Sequence, residues 1–170
     1  MHPLVRWTWA LCGRTPLLRH RTRHHRKISC IGGISISPRR RHLEWYLKFH
    51  ADRSIRQTQV IAFLADLFQH LRGPVILVWD RLNAHRGKMV RQWLARRPRV
   101  RVESLPPYAP ELNPNEYGWS NLKGGPTLAN ACPKDLPELR SMVVKAARTS
   151  RRRPELLRSF IHATRLPIRL

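Results

Sequence analysis

The chain is poor in acidic residues. Only 10 of its 170 residues are Asp or Glu, against 33 Lys and Arg, so the formal net charge is +23 and the pI is near 11.8. A solvated surface needs charge, but it does not need charge of one sign, and an excess this large indicates a polyanionic partner. Most of the cations are arginines, whose guanidinium groups suit bidentate phosphate contacts. On charge alone, a basic protein of the ribosomal or chromatin type and an enzyme acting on nucleic acid both stay open.

Cysteine and long apolar runs are also scarce. The three cysteines, Cys12, Cys30 and Cys132, are far apart and odd in number, and no pair has the spacing of a zinc site. We interpret them as reduced thiols of a cytoplasmic protein. No apolar run approaches the roughly 20 residues of a membrane span. Residues 4–11 are too short and too interrupted for a signal peptide. We therefore expect no membrane partner.

The rest of the composition suits one globular domain. A chain of this length with 42% hydrophobic residues can bury a core of its own. The order of apolar patterns along it predicts an α/β layered fold with a mixed sheet. The predicted strands are 28–37 and 43–49, which form a hairpin, then 75–79 and 100–105; the predicted helices are 56–71, 88–97, 114–124, 135–148 and 154–163. In helix 88–97 the residues expected to face inward are Met89, Val90, Trp93 and Leu94.

The stretch 75–79 is the centre of the predicted fold. It is wholly apolar, and Gly73 and Pro74 precede it, while the polar segment 81–87 follows. A short apolar run between turn signals predicts a strand that is buried on both faces. Asp80 comes directly after this strand, at the carboxyl end where open α/β sheets place ligands and chemistry.

A second carboxylate follows a proline-rich loop within residues 106–119. Asn113 is predicted to cap a helix whose first residue is Pro114, and Glu116 falls at the third helical position, as in a capping box. Asp80 and Glu116 are hard oxygen donors on different elements, as divalent-metal phosphoryl chemistry requires. Each also has a structural alternative, namely a turn aspartate after a strand and the capping box itself.

The first 43 residues carry no carboxylate and ten Lys or Arg. A solvated basic loop and a segment that contacts nucleic-acid phosphates are both compatible with this composition, and they do not exclude each other. The histidines of this region lack a set of partners at metal-site spacing. The predicted phosphate contacts in this region are Arg19, Arg21, Arg23, Arg26 and Lys27.

Two segments of the chain resemble a known family. Residues 78–86, and residues 105–119 followed by 122–123, resemble the second and third catalytic segments of mariner-type insertion-sequence transposases of the DDE superfamily. The specific part is the pattern Pro-x-Leu-Asn-Pro-x-Glu at residues 110–116. Thirty-five residues separate the two carboxylates, which suits the spacing of that family. The resemblance covers most of the chain.

This resemblance implies a ribonuclease H-like mixed sheet flanked by helices, in a single catalytic domain over residues 1–170. It implies DNA cleavage and strand transfer with Mg²⁺ or Mn²⁺ in a two-metal site. The partners would be DNA, as transposon ends and target, and a second copy of the chain, in a bacterial cytoplasm near the nucleoid. The catalytic metal ligands would be Asp80 and Glu116, the supporting residues Asn83, His85 and Asn113, and further DNA contacts Arg86 and Lys123.

The chain departs from the family pattern at its start. The family's first aspartate ends the first central strand, yet no acidic residue here precedes Glu44, and Glu44, Asp52 and Asp66 are poorly placed substitutes. The resemblance therefore implies an N-terminally truncated domain, without that strand or a DNA-binding region before it. Its two-carboxylate site would hold metal weakly, so activity and inactivity of the chain alone both stay open. Each backbone group left buried without a partner costs on the order of 1–3 kcal/mol, so we expect marginal stability. Residues 4–9 are the segment that would fill the gap.

Three functions stay open. The first is the transposase catalytic domain, and the second is a basic protein that binds DNA without catalysis. The third is a ribosomal-type RNA binder, which would not need the pairing of Asp80 with Glu116. Metal-dependent nicking that depends on Asp80 separates the first from the second, and a preference for structured RNA indicates the third.

Overall fold

The computed structural model describes residues 10–14, 27–168 and 170. Within them no helix is both long and apolar enough to cross a membrane. Residues 4–9, expected to fill a gap in the sheet, lie outside the described residues. In chain order the elements are β1 (Ile28–Ile36), β2 (Leu43–Ala51), α1 (Gln57–His70), β3 (Val75–Trp79), α2 (Asn83–Arg86), α3 (Lys88–Ala95), β4 (Val100–Ser104), a 3-10 turn (Pro110–Leu112), α4 (Pro114–Gly124), α5 (Leu136–Arg151) and α6 (Pro154–Ala163).

β1 and β2 form the predicted antiparallel hairpin. The register runs from Ile28 opposite Ala51 to Ile36 opposite Leu43. The turn between the strands is closed by Ser37, whose Oγ accepts hydrogen bonds from the backbone N–H groups of two residues that follow it. Because side chains alternate along a strand, the hairpin presents one set of apolar residues to each of its faces.

β3 and β4 form a parallel pair, with Val75 opposite Val100 and Trp79 opposite Ser104. Parallel strands need a crossover connection, and α2 and α3 supply it. The two strands therefore end at the same edge of the sheet. Asp80 leaves this edge directly after β3.

The described strands make two small sheets rather than the single mixed sheet that the sequence led us to expect. Among the described residues, no strand pairs with β1 or β3 on the edge away from its partner. The two sheets still share one apolar cluster around α1, which includes Ile31 of β1 and Leu77 of β3. The chain is thus a mixed α/β fold, and the lack of a first central strand stays a prediction.

Two apolar clusters cover the two faces of the hairpin. One contains Trp45 of β2 with Leu122 of α4, Val143 of α5 and Leu157 of α6. The other contains α1 and α3 against β1, β3 and β4. The helices that follow β4 thus lie on the opposite face of the hairpin from α1.

Two burial predictions and one secondary-structure prediction are wrong. Strand β3 is not buried on both faces, since Ile76 is 68% exposed and Val78 is 53% exposed. These two side chains point away from α1 and α3, and no described helix covers them. Met89 is 51% exposed, because the inward face of α3 is set by Val90 and Leu94. The segment after Asp80, expected as a turn, contains the short helix α2.

Candidate functional site

Asp80 uses one carboxylate oxygen to shape the chain after β3. Its Oδ1 accepts a hydrogen bond from the backbone N–H of Leu82 at 3.2 Å and lies 2.8 Å from Nδ1 of His85. An aspartate that bonds the backbone two residues further on closes an Asx turn, so Asp80 also has the structural role of a turn aspartate after a strand. No described residue bonds the other oxygen, Oδ2, which is open to a ligand.

His85 is held from two directions. Its ring stacks on the indole of Trp79, with the centroids 4.6 Å apart and the planes 1° from parallel. Its Nδ1 faces Asp80, also lying 3.3 Å from the backbone carbonyl oxygen of that residue. The hydrogen bond from His85 is the largest influence on the pKa of Asp80 and lowers it; burial raises it, and the Leu82 N–H lowers it. Asp80 is therefore ionised at neutral pH, as metal ligation requires.

Glu116 lies in the first turn of α4, and its side chain has no hydrogen-bond or ion-pair partner among the described residues. Asn113 is the N-cap as predicted, since its Oδ1 accepts from the backbone N–H of Asn115 at 3.1 Å, and Pro114 is the first helical residue. The predicted capping box is wrong. The backbone N–H of Asn113, which Glu116 would bind, donates instead to the carbonyl of Pro110 at 3.0 Å.

Most acidic side chains of the described residues have a hydrogen-bond or ion-pair partner, and Glu116 does not. Of the ten acidic residues, only Glu111 and Glu116 have side chains without a hydrogen bond or ion pair among the described residues. The three acids that precede Asp80 are all engaged: Arg151 pairs with Glu44, the backbone N–H of Lys27 bonds Asp52, and Lys48 pairs with Asp66.

Trp45 fixes the first turn of α4. This side chain is fully buried, and its Nε1–H donates to Oδ1 of Asn115 at 3.0 Å. One turn further along, Gly118 touches the same indole, and a Cβ there would lie 2.5 Å from Cζ2 of Trp45. Close packing of α4 on β2 therefore determines where Glu116 stands.

An open cleft of about 710 Å³ runs along β4 between the end of β3 and helices α2 and α3; Trp79, the neighbour of Asp80, lines it, and Asp80 itself does not. The cleft brings together three predicted site residues, Asn83, His85 and Arg86, with two that sequence reasoning missed, Arg91 and Ser104. Ser104 could have been found from the sequence, because it is the last residue of β4, the strand that pairs in parallel with β3. Arg91 had none, because exposed arginines are common in this chain.

The remaining predicted residues form separate groups. Asn113, Glu116 and Lys123 belong to α4 and do not line the cleft, and Lys123 lies in the last turn of that helix. Lys27 is exposed beside the start of β1, with its Nζ 3.4 Å from Ser54 Oγ. No three His, Cys, Asp or Glu residues of the described chain gather in a metal-binding arrangement. Arg19, Arg21, Arg23 and Arg26 lie outside the described residues.

Comparison with known proteins gives one family and one fold. The family model described as DDE superfamily endonuclease matches residues 2–140. No curated protein sequence matches the chain. The fold is similar to the crystal structure of the Mos1 strand transfer complex, with a TM-score of 0.57 and 15% identity over 99% of this chain and 52% of that one. It is also similar to the Mos1 transposase paired-end complex with left transposon end, with a TM-score of 0.58 and 14% identity over 96% and 51%. The chain thus spans about half the length of each.

Proposed function

Because the chain belongs to the DDE superfamily endonuclease family, we propose that it is a transposase catalytic domain that cleaves DNA and transfers the strands. The observation that carries this proposal is a pair of available carboxylates. Among the described residues nothing bonds Oδ2 of Asp80 at the carboxyl end of β3, and nothing bonds the Glu116 carboxylate on the first turn of α4. Both lie within the segment that the family model matches. The similar fold of a complex with a transposon end supports DNA as the substrate.

The two carboxylates are of a chemical type that fits a divalent cation. Carboxylates are the hard oxygen ligands that Mg²⁺ and Mn²⁺ take, and Asp80 and Glu116 would hold the ion. His85 orients Asp80 through Oδ1, as residues behind a ligating carboxylate do. When bound, the metal would activate a water or a 3′-hydroxyl and polarise the scissile phosphate.

The residues of the cleft fit a nucleic-acid backbone. Arg86 and Arg91 supply guanidinium groups that can pair with phosphate oxygens. Asn83 and Ser104 supply uncharged hydrogen-bond donors. Openness to solvent supports a polymeric substrate, because a long duplex can approach this edge without threading into an enclosed cavity.

The test is nicking of a supercoiled plasmid in the presence of Mg²⁺ or Mn²⁺. We expect the unmutated chain to nick the plasmid, and Asp80→Asn and Glu116→Gln each to abolish nicking. Glu111→Gln is the matched control, because Glu111 is an exposed and unpartnered acid five residues before Glu116. Loss of nicking in the control as well, or no nicking by the unmutated chain, would contradict the proposal.

A second function rests on a different observation. The described residues gather no set of three metal-ligating side chains, which favours a basic protein that binds DNA without cleaving it. In that case Asp80→Asn leaves DNA binding unchanged and no metal-dependent nicking exists to be lost. A preference for structured RNA over duplex DNA would favour the ribosomal-type alternative.

The proposal extends to the expected lack of a first central strand. Its support is that the β1–β2 and β3–β4 pairs both pack on α1 but do not hydrogen bond to each other among the described residues. A domain without that strand would have an incomplete set of carboxylates and weak metal binding. The second copy of the chain expected from the resemblance also stays a prediction.

A further inference from the structure

We propose that a basic groove along α5 binds the phosphate backbone of duplex DNA and is a contact surface separate from the cleft beside Asp80. The groove has a volume of about 630 Å³, and its cations are Arg140, Lys145 and Arg148. It shares no lining residue with the cleft. The choice of DNA rather than another polyanion rests on the proposed function.

The spacing of the three cations suits a nucleic-acid strand. At 100° per residue they fall within an arc of about 140° on the helix, and a rise of 1.5 Å per residue separates Arg140 from Arg148 by about 12 Å along the axis. One strand of B-DNA advances about 3.4 Å per phosphate along the duplex. The stripe therefore spans about three to four phosphates of one strand. The buried residues of α5, such as Leu139 and Val143, lie on another face of the helix.

No acid of the described chain forms an ion pair with these cations. The two acids at the start of α5 are engaged there: Asp135 Oδ1 accepts from the backbone N–H of Glu138, and the Glu138 carboxylate accepts from that of Lys134. Residues 139–153 contain no carboxylate, and neither do the residues that the structure leaves undescribed. None of the three groove cations therefore has an ion-pair partner among the described residues, and the acid next to the groove-lining Ala51, Asp52, accepts from the backbone N–H of Lys27.

The helix macrodipole explains only part of this charge pattern. Cations stabilise the last turn of a helix, where Arg148 lies, but they are unfavourable near its start. Arg140 is the fifth residue of α5, beyond the first turn, so the macrodipole does not account for its charge. A polyanion bound in the groove would compensate this charge.

The groove continues toward a predicted DNA contact. Ala51, the last residue of β2, forms one of its walls. Next to it, the backbone N–H of Asp52 donates to the carbonyl of Lys27 at 2.9 Å, so Lys27 stands beside the mouth of the groove. The exposed Arg53 follows. These two cations lengthen the basic surface beyond α5.

The test measures binding of the full chain to a short duplex DNA in EDTA, so that no cleavage is needed. The groove variant is Arg140→Gln/Lys145→Gln/Arg148→Gln. The control variant, Arg39→Gln/Arg72→Gln/Arg96→Gln, removes the same charge from exposed positions outside the groove. We expect the groove variant to bind at least about tenfold more weakly and its log–log salt slope to fall by about 2 to 3, because each lost phosphate contact removes about 0.9. The control should stay within about threefold.

A charge-conserving variant, Arg140→Lys/Lys145→Arg/Arg148→Lys, should keep the salt slope, and circular dichroism of all variants checks their folding. Equal losses in groove and control variants would overturn the inference, as would a loss confined to structured RNA. Nicking lost in Asp80→Asn while the groove variant binds normally would also overturn it and leave the proposed function intact. A selective loss of binding in a chain that never nicks would support the groove and count against the proposed function.

Discussion

His85 Nδ1 lies 2.8 Å from Asp80 Oδ1, and the same ring is stacked flat against Trp79. The stack holds the plane of the imidazole, and the contact with Asp80 fixes which edge of the ring faces the carboxylate. One oxygen of Asp80 is committed to this contact and to the Leu82 N–H, and the other is left open. The histidine is a positioning residue, and the carboxylate it positions is the proposed ligand.

Replacing His85 should weaken catalysis through the metal. We expect His85→Ala to lower nicking by about 10- to 100-fold and to raise the Mg²⁺ concentration needed for half-maximal rate, as removal of the partner of a ligating carboxylate does. Duplex DNA binding in EDTA should not change. His70→Ala on α1, where His70 is exposed, is the control. An unchanged metal requirement in His85→Ala would contradict the positioning role.

Acid should destabilise the chain partly through Asp80. Its pKa in the folded chain lies below the ordinary value of 3.8, chiefly because of the hydrogen bond from His85. A carboxyl group whose pKa is lower in the folded chain than in the unfolded chain stabilises the fold. This stabilisation is complete at a pH above the unfolded pKa and is lost as the pH falls through the folded pKa. The melting temperature of the unmutated chain should therefore fall more steeply than that of Asp80→Asn as the pH drops below about 4. Parallel curves would contradict this.

Gly118 should tolerate no side chain. A Cβ at this position would lie 2.5 Å from the buried indole of Trp45, so Gly118→Ala should destabilise the chain by about 1–3 kcal/mol in urea unfolding. Because α4 would shift, nicking should also fall. Gly33→Ala is the control, since the nearest atom to its added Cβ, on Phe63, is 3.8 Å away. Similar stability of the two variants would disprove the close-contact argument.

Strand β3 should exchange its amide hydrogens readily. Ile76 and Val78 are exposed, and among the described residues β4 is the only strand that pairs with β3. We expect the amides of Val75–Trp79 to be less protected than those of Ile28–Ile36, because local opening costs little where few apolar contacts are lost. Hydrogen exchange measured by mass spectrometry or NMR decides this. Uniformly strong protection of β3 would count against the expected marginal stability.

The three thiols should react in two groups. Burial raises the pKa of the Cys30 thiol to about 12, whereas Cys12 and Cys132 are exposed. Since the thiolate is the reactive form, a thiol reagent at neutral pH should label two cysteines rapidly and Cys30 only on unfolding. Cys30→Ser should abolish the slow phase. Three equal labelling rates would show that β1 is not packed as described.

Much of the fold and part of the site could be predicted from local patterns. The hairpin, the helical face of α1, the position of Asp80 after β3 and the Asn113 cap before Pro114 all depend on residues a few positions apart. The family resemblance of the 110–116 pattern is confirmed by the family match. Local sequence therefore determined the type and order of the strands and of the longer helices, but not the short helix α2, and it determined the chemical nature of the two carboxylates.

The tertiary structure decided which groups are free. The backbone N–H of Asn113, which a capping box would pair with Glu116, donates to the carbonyl of Pro110 instead. The stack on Trp79 holds the His85 ring in a plane from which its Nδ1 reaches Asp80. The exposed face of β3 and the groove on α5 likewise follow from which elements pack where. Sequence periodicity states which face of an element is apolar, but whether that face is covered depends on residues distant in the chain. Hydrogen-bond competition and packing between such residues exist only in the folded chain.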